Sequence, residues 1–108
     1  MLVSDDDMHD VLAVLGDESG AAHRAAHEYL DALTKTVLAE LMGESDAKSA
    51  TEREQWARAQ TRFKEHLAKV GQAAKHDYQW RQRYSAANSK LECWRTANAN
   101  IRAAERLR

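Results

Sequence analysis

The chain has no proline and only four glycines in 108 residues. Proline and glycine punctuate tight turns, and strands need such turns to pair. A sheet built from many short strands is therefore excluded. Alanine, Leu, Glu, Gln, Lys and Arg dominate instead, the residues that lose least on entering a helix. The expected fold is all-α, a coiled-coil-like helical hairpin with a short N-terminal helix and a long C-terminal helix. At this length it forms one domain, residues 1–108, with a modest core.

Helix ends are legible. Ser4 reads as an N-cap, and Asp5, Asp6 and Asp7 follow in the first turn, where acids complement the helix dipole. Met8, Val11, Leu12 and Leu15 then share one face, and Gly16 is the stop, giving a first helix over 5–15. A second helix is expected over 21–42 with the apolar row Ala22, Ala26, Tyr29, Leu30, Leu33, Val37, Leu38 and Leu41, ended by Gly43. Ser49 with Glu52, and Thr51 with Glu54, form overlapping capping boxes. They open a third helix over 51–107, roughly 85 Å long at the α-helical rise. Gly71 is its one candidate break, which would turn the hairpin into a three-helix bundle.

The long helix carries Trp56, Ala59, Phe63, Leu67, Val70 and Ala74, then Tyr84, Ala87, Leu91, Trp94 and Ile101. The last five follow a 3-4 heptad, with Asn98 in an a position. Between Ala74 and Tyr84 the register is expected to slip, because Asp77 would otherwise lie in the apolar seam. The second helix is too short to cover the whole stripe. Tyr84, Ala87, Leu91, Trp94 and Ile101 thus form a candidate oligomer seam, and a homo-oligomer is the expected state.

Charge is divided unevenly. Residues 1–55 hold thirteen acids against four Lys/Arg, a balance of -9, and residues 56–108 hold four acids against twelve Lys/Arg, a balance of +8. Arg81, Arg83, Lys90, Arg95 and Arg102 line the flanks of the C-terminal seam. With Trp80 they form a candidate binding surface. In a coiled coil such flanks call for acidic partners, so a protein with an acidic surface is the first expectation. Basic residues interleaved with aromatics also suit nucleic acid, the alternative.

Chemistry-bearing motifs are few. His23 and His27 stand four apart on the second helix with Asp31 one turn on, but without a fourth ligand they read as exposed histidines on a polar face. No metal or cofactor is expected. There is no phosphate loop, nucleophile elbow or local Cys–His pair, so no catalytic residue is assigned and the chain reads as non-enzymatic. Cys93 is the single cysteine, which excludes an internal disulfide and fits a reducing compartment. No segment approaches the roughly 20 apolar residues that cross a bilayer, and the first residues lack a basic leader start. A cytoplasmic location follows, without membrane partners.

Glu28–Asp31 (Glu-Tyr-Leu-Asp), 51–54 (Thr-Glu-Arg-Glu), 91–96 (Leu-Glu-Cys-Trp-Arg-Thr) and 100–106 (Asn-Ile-Arg-Ala-Ala-Glu-Arg) give the segment from Tyr29 onward a family likeness. It resembles small helical early-region proteins of tailed phages and prophages. The resemblance implies an accessory protein encoded near recombination genes, or a small inhibitor that occludes a host-defence complex as anti-CRISPR proteins do. It implies a host-cell cytoplasmic location and carries over no active-site residue.

Overall fold

A computed structural model describes residues 4–107. Residues 1–3, on which the leader reading partly rests, and Arg108, the end of the expected domain, lie outside the described residues. The described chain is all-helical: α1 (Asp5–Leu15), α2 (Ser19–Gly43), α3 (Ala50–Ala59) and α4 (Thr61–Arg106). None of the described helices is long and apolar enough to cross a membrane. The chain divides into two compact units, one made of the chain up to Gly20 together with Gln79 onward, the other Ala21–Tyr78.

The two expected caps form. Ser4 Oγ accepts the Asp7 backbone N–H at 3.1 Å, and the Asp7 carboxylate accepts the Ser4 N–H at 3.2 Å, so two otherwise orphaned donors are satisfied reciprocally. Ser49 Oγ accepts the Glu52 N–H at 3.1 Å and opens α3, which makes Ser49 the operative cap of the two candidates.

One long helix over 51–107 does not form. The break falls at Gln60, not at Gly71, which lies inside α4 with open space around its Cα. Gln60 leaves the helical region, with φ -71° and ψ 142°. Its own atoms repair the damage. The backbone N–H turns to the Ala57 carbonyl, while the side-chain amide donates to the Trp56 carbonyl at 2.9 Å, the group that an unbroken helix would satisfy with that N–H. The gain is in the core. Ala57 and Phe63 would point about 120° apart on a continuous helix. After the break both are buried with Leu41, and Val37, Leu38 and Met42 pack against them.

In the Ala21–Tyr78 unit the inward positions follow a 3-4 spacing on both long helices. On α4 these are Phe63, His66, Val70, Ala73 and Asp77; on α2 they are His23, His27, Leu30, Thr34, Val37 and Leu41. The expected rows are therefore displaced. Trp56, Ala59 and Leu67 are exposed and His66 is buried in place of Leu67, while Tyr29, placed in the α2 core from sequence, is 65% exposed. The expected register slip is also corrected. From Asp77 the spacing continues through Trp80, Tyr84, Ala87, Leu91, Trp94 and Asn98 without insertion, and Asp77 is a buried seam residue. A carboxylate is tolerated there because α2 supplies a partner for it.

In the other unit α1 packs on α4 through Met8 and Val11, both buried, beside the buried Ala87. Leu12, expected on the same inward face, is 58% exposed. The helices run antiparallel, with Asp7 near Lys90 and Gly20 against Trp80. α1 thus covers part of the stripe for which the sequence demanded another chain.

Candidate binding surface

The polar groups singled out in sequence sit in two places. In the Ala21–Tyr78 unit, His27 Nδ1–H donates to Asp77 Oδ2 at 2.9 Å, with the Asp77 side chain almost wholly buried and His27 about a third exposed. His66 Nε2 lies 3.0 Å from Thr34 Oγ1, whose hydroxyl reaches the Leu30 carbonyl at 3.3 Å. His23 stacks on His76 with ring centroids 5.6 Å apart, and Gln72 reaches the His76 ring at 3.2 Å. The histidine pair of α2 is therefore not a polar-face feature. Both members are half-buried in the α2–α4 seam. Among the described residues no group of three or more His, Cys, Asp or Glu is placed to hold a metal ion. A buried carboxylate that orients an imidazole fixes its tautomer, and here that bond ties two helices together across fifty residues of sequence.

Sequence reasoning kept Asp77 out of the seam and gave the inward place of His66 to Leu67. The signal that finds both is the 3-4 spacing itself, followed through polar residues instead of stopped at them.

The C-terminal flank lies in the other unit. Trp80 is half-buried, and its indole edge is so close to Gly20 that a Cβ there would meet Nε1 at 1.9 Å. Arg83 lies over the Trp80 ring, 4.7 Å from its centroid. That contact occupies an aromatic face which a nucleic-acid base would need. Lys90 faces the acidic start of α1. The Asp7 carboxyl is held below its usual range chiefly by hydrogen bonds from Ser4, with the Lys90 charge adding to them. Arg81 is exposed on the surface of α4. Arg95 bonds Glu92 at 3.0 Å, and Arg102 Nε reaches the Asn98 carbonyl at 3.4 Å, both on exposed helix surface.

Beyond Lys90 the seam opens. Ala87 is buried and Leu91 and Trp94 are half-buried, but Ile101 is 57% exposed. Tyr84, in the same spacing, is 46% exposed. Asn98 donates its side-chain amide to the Trp94 carbonyl at 3.0 Å. Cys93 is exposed beside this stretch. The arrangement is an apolar line with small residues, Ala97 and Ala104, on one flank and Arg95 and Arg102 on the other.

No family model, no curated protein and no solved structure matches the chain.

Proposed function

We propose that the chain is a non-enzymatic helical binding protein that engages a partner protein along the C-terminal part of α4. The observation that carries this reading is Ile101, a seam residue left 57% exposed in line with Leu91 and Trp94 and bordered by exposed Arg95 and Arg102. An apolar centre with a charged rim is the composition of a protein interface. The likeness to phage early-region proteins is in keeping with an accessory factor, or with an inhibitor that occludes a host-defence complex in the host cytoplasm. Nucleic acid is the weaker reading, because Trp80 is engaged by Gly20 and Arg83. A homo-oligomer also loses part of its motive, since α1 already covers Ala87.

The test is affinity capture from host lysate with the intact protein, after nuclease treatment. A partner retained by the wild type and lost with Ile101→Asp, at unchanged helix content, supports the reading. A partner lost on nuclease treatment moves it to nucleic acid, and one indifferent to Ile101→Asp removes this surface from the function.

A further inference from the structure

The bend between α3 and α4 is made at one torsion. Gln60 has φ -71°, a helical value, and only its ψ of 142° departs from the helix, where about -42° is usual. The residues on either side, from Trp56 to Lys64, include no glycine or proline. Local sequence in fact opposes the bend. The first turn of α4 carries Arg62 and Lys64 and no acid, the wrong charges for a helix N-terminus. The Gln60 amide is turned back to the Trp56 carbonyl and does not cap α4. On a straight helix the Thr61 and Arg62 N–H groups would take the Ala57 and Arg58 carbonyls.

Few contacts hold the bend against that preference. Ala57 is the one buried residue among the ten of α3, and it clusters with Leu41 and Phe63. The other ties are exposed: Arg58 over the Phe63 ring at 5.7 Å, Arg62 paired with Glu44, and Arg53 Nε donating to the Ala47 carbonyl at 2.6 Å. We infer that α3 is a hinged cover, which swings about ψ of Gln60 between the bent state and one continuous helix over 50–106. Straightening takes Ala57 off Leu41 and Phe63 and so opens the apolar end of this unit, while the pairs His27–Asp77 and Thr34–His66 stay closed. The connection to α2 is long enough to follow. Ala50 on a straight helix stands thirteen residues from Phe63, about 20 Å, and the seven peptide units from Gly43 to Ala50 span up to about 24 Å.

Double electron–electron resonance on the full-length protein reads the swing, with spin labels on Thr51→Cys and Lys69→Cys in a Cys93→Ser background. Both labelled sites are exposed. A straight helix sets these sites, eighteen residues apart, on one face about 27 Å from each other, and the bend brings them closer. The protein with no further change should give a main short distance and a minor one near 27 Å. Gln60→Ala removes the amide that serves the Trp56 carbonyl and adds helix propensity, so it should raise the long component about fivefold, the worth of one hydrogen bond. Ala57→Gln is a helix former too large for its buried place, and should make the long component dominant at unchanged helix content. Gln60→Pro, which keeps the observed φ but breaks a helix interior, should abolish it. A long component missing from all but the proline variant's comparison set, that is from the parent, Gln60→Ala and Ala57→Gln alike, would overturn the hinge. A broad distribution with lost helix content in Ala57→Gln would overturn it too, because α3 would then melt and not swing. A long component that survives Gln60→Pro would do the same, since the turn would not be made at ψ of Gln60.

Discussion

The two units bury the same helix by different means. In Ala21–Tyr78 the seam of α4 is closed by α2 and α3, with Phe63 and Leu41 fully buried and polar pairs at His27–Asp77 and Thr34–His66. In the unit built on α1 the buried residues are Met8, Val11 and Ala87, and no polar side chain is buried among the described residues. Buried polar pairs act through geometry. Each works with one partner at one distance, so the first seam has a single register, whereas a strip of small and apolar residues accepts any helix with a matching face. The first unit is thus suited to be scaffold and the second to exchange contacts, since elements with few buried apolar groups open at least cost.

The largest expected effect tests the scaffold. Phe63→Ala removes the ring that packs with Ala57 and Leu41 and should cost about 3–5 kcal/mol in chemical denaturation. A loss below about 1 kcal/mol would show that the Gln60 break does not serve this core.

Asp77→Ala comes next. It strands the His27 imidazole, which still reaches water, so a loss of about 1–3 kcal/mol is expected. Replacing both residues with leucine should recover most of that stability while broadening side-chain NMR signals, because an apolar pair no longer fixes the register. Sharp signals in the double variant would remove the distinction drawn between the seams.

Two glycines give a matched pair of smaller effects. Gly20→Ala forces Trp80 to move and should destabilise by about 1–3 kcal/mol, despite alanine's better helix propensity. Gly71→Ala meets nothing within 4 Å and should stabilise by about 0.5–1 kcal/mol. Thermal melts of the two variants should shift in opposite directions, and equal shifts would mean that Trp80 does not rest on Gly20.

The smallest effect is at α1's cap. Asp7 has its folded pKa lowered from 3.8, first by Ser4 and then by Lys90. A depressed carboxyl contributes stability above its unfolded pKa and loses it as pH falls through the folded value. Wild type should therefore exceed Asp7→Asn slightly at neutral pH, and the difference should vanish in strong acid. A difference that persists there would assign the effect to shape and not to charge.

Much of this molecule is written locally. Ser4 and Ser49 mark helix starts, and the bounds of α1 match those expected from sequence. Of the candidate seam, Ala87, Leu91 and Trp94 take inward positions, whereas Tyr84 and Ile101 in the same spacing are exposed. The pair at the centre of the first unit was not legible. A lone aspartate between apolar runs signals a break unless its counter-group is known, and His27 stands fifty residues away.

The sequence by itself determined that the chain is helical, where α1 begins and ends, and that basic residues flank the C-terminal seam. Each of these follows from propensity, capping and periodicity, which act within a few residues. Only the tertiary structure decided that the chain breaks at Gln60, that His66 and Asp77 lie inside, that α1 lies over Ala87, and that Ile101 is left open. The physical reason is common to all four. Burial is a property of what lies across the interface: Leu41 makes the Gln60 break favourable, and Thr34 and His27 make an imidazole and a carboxylate tolerable in a seam. Ile101 lies past the Ala87 region that α1 covers and is left 57% exposed.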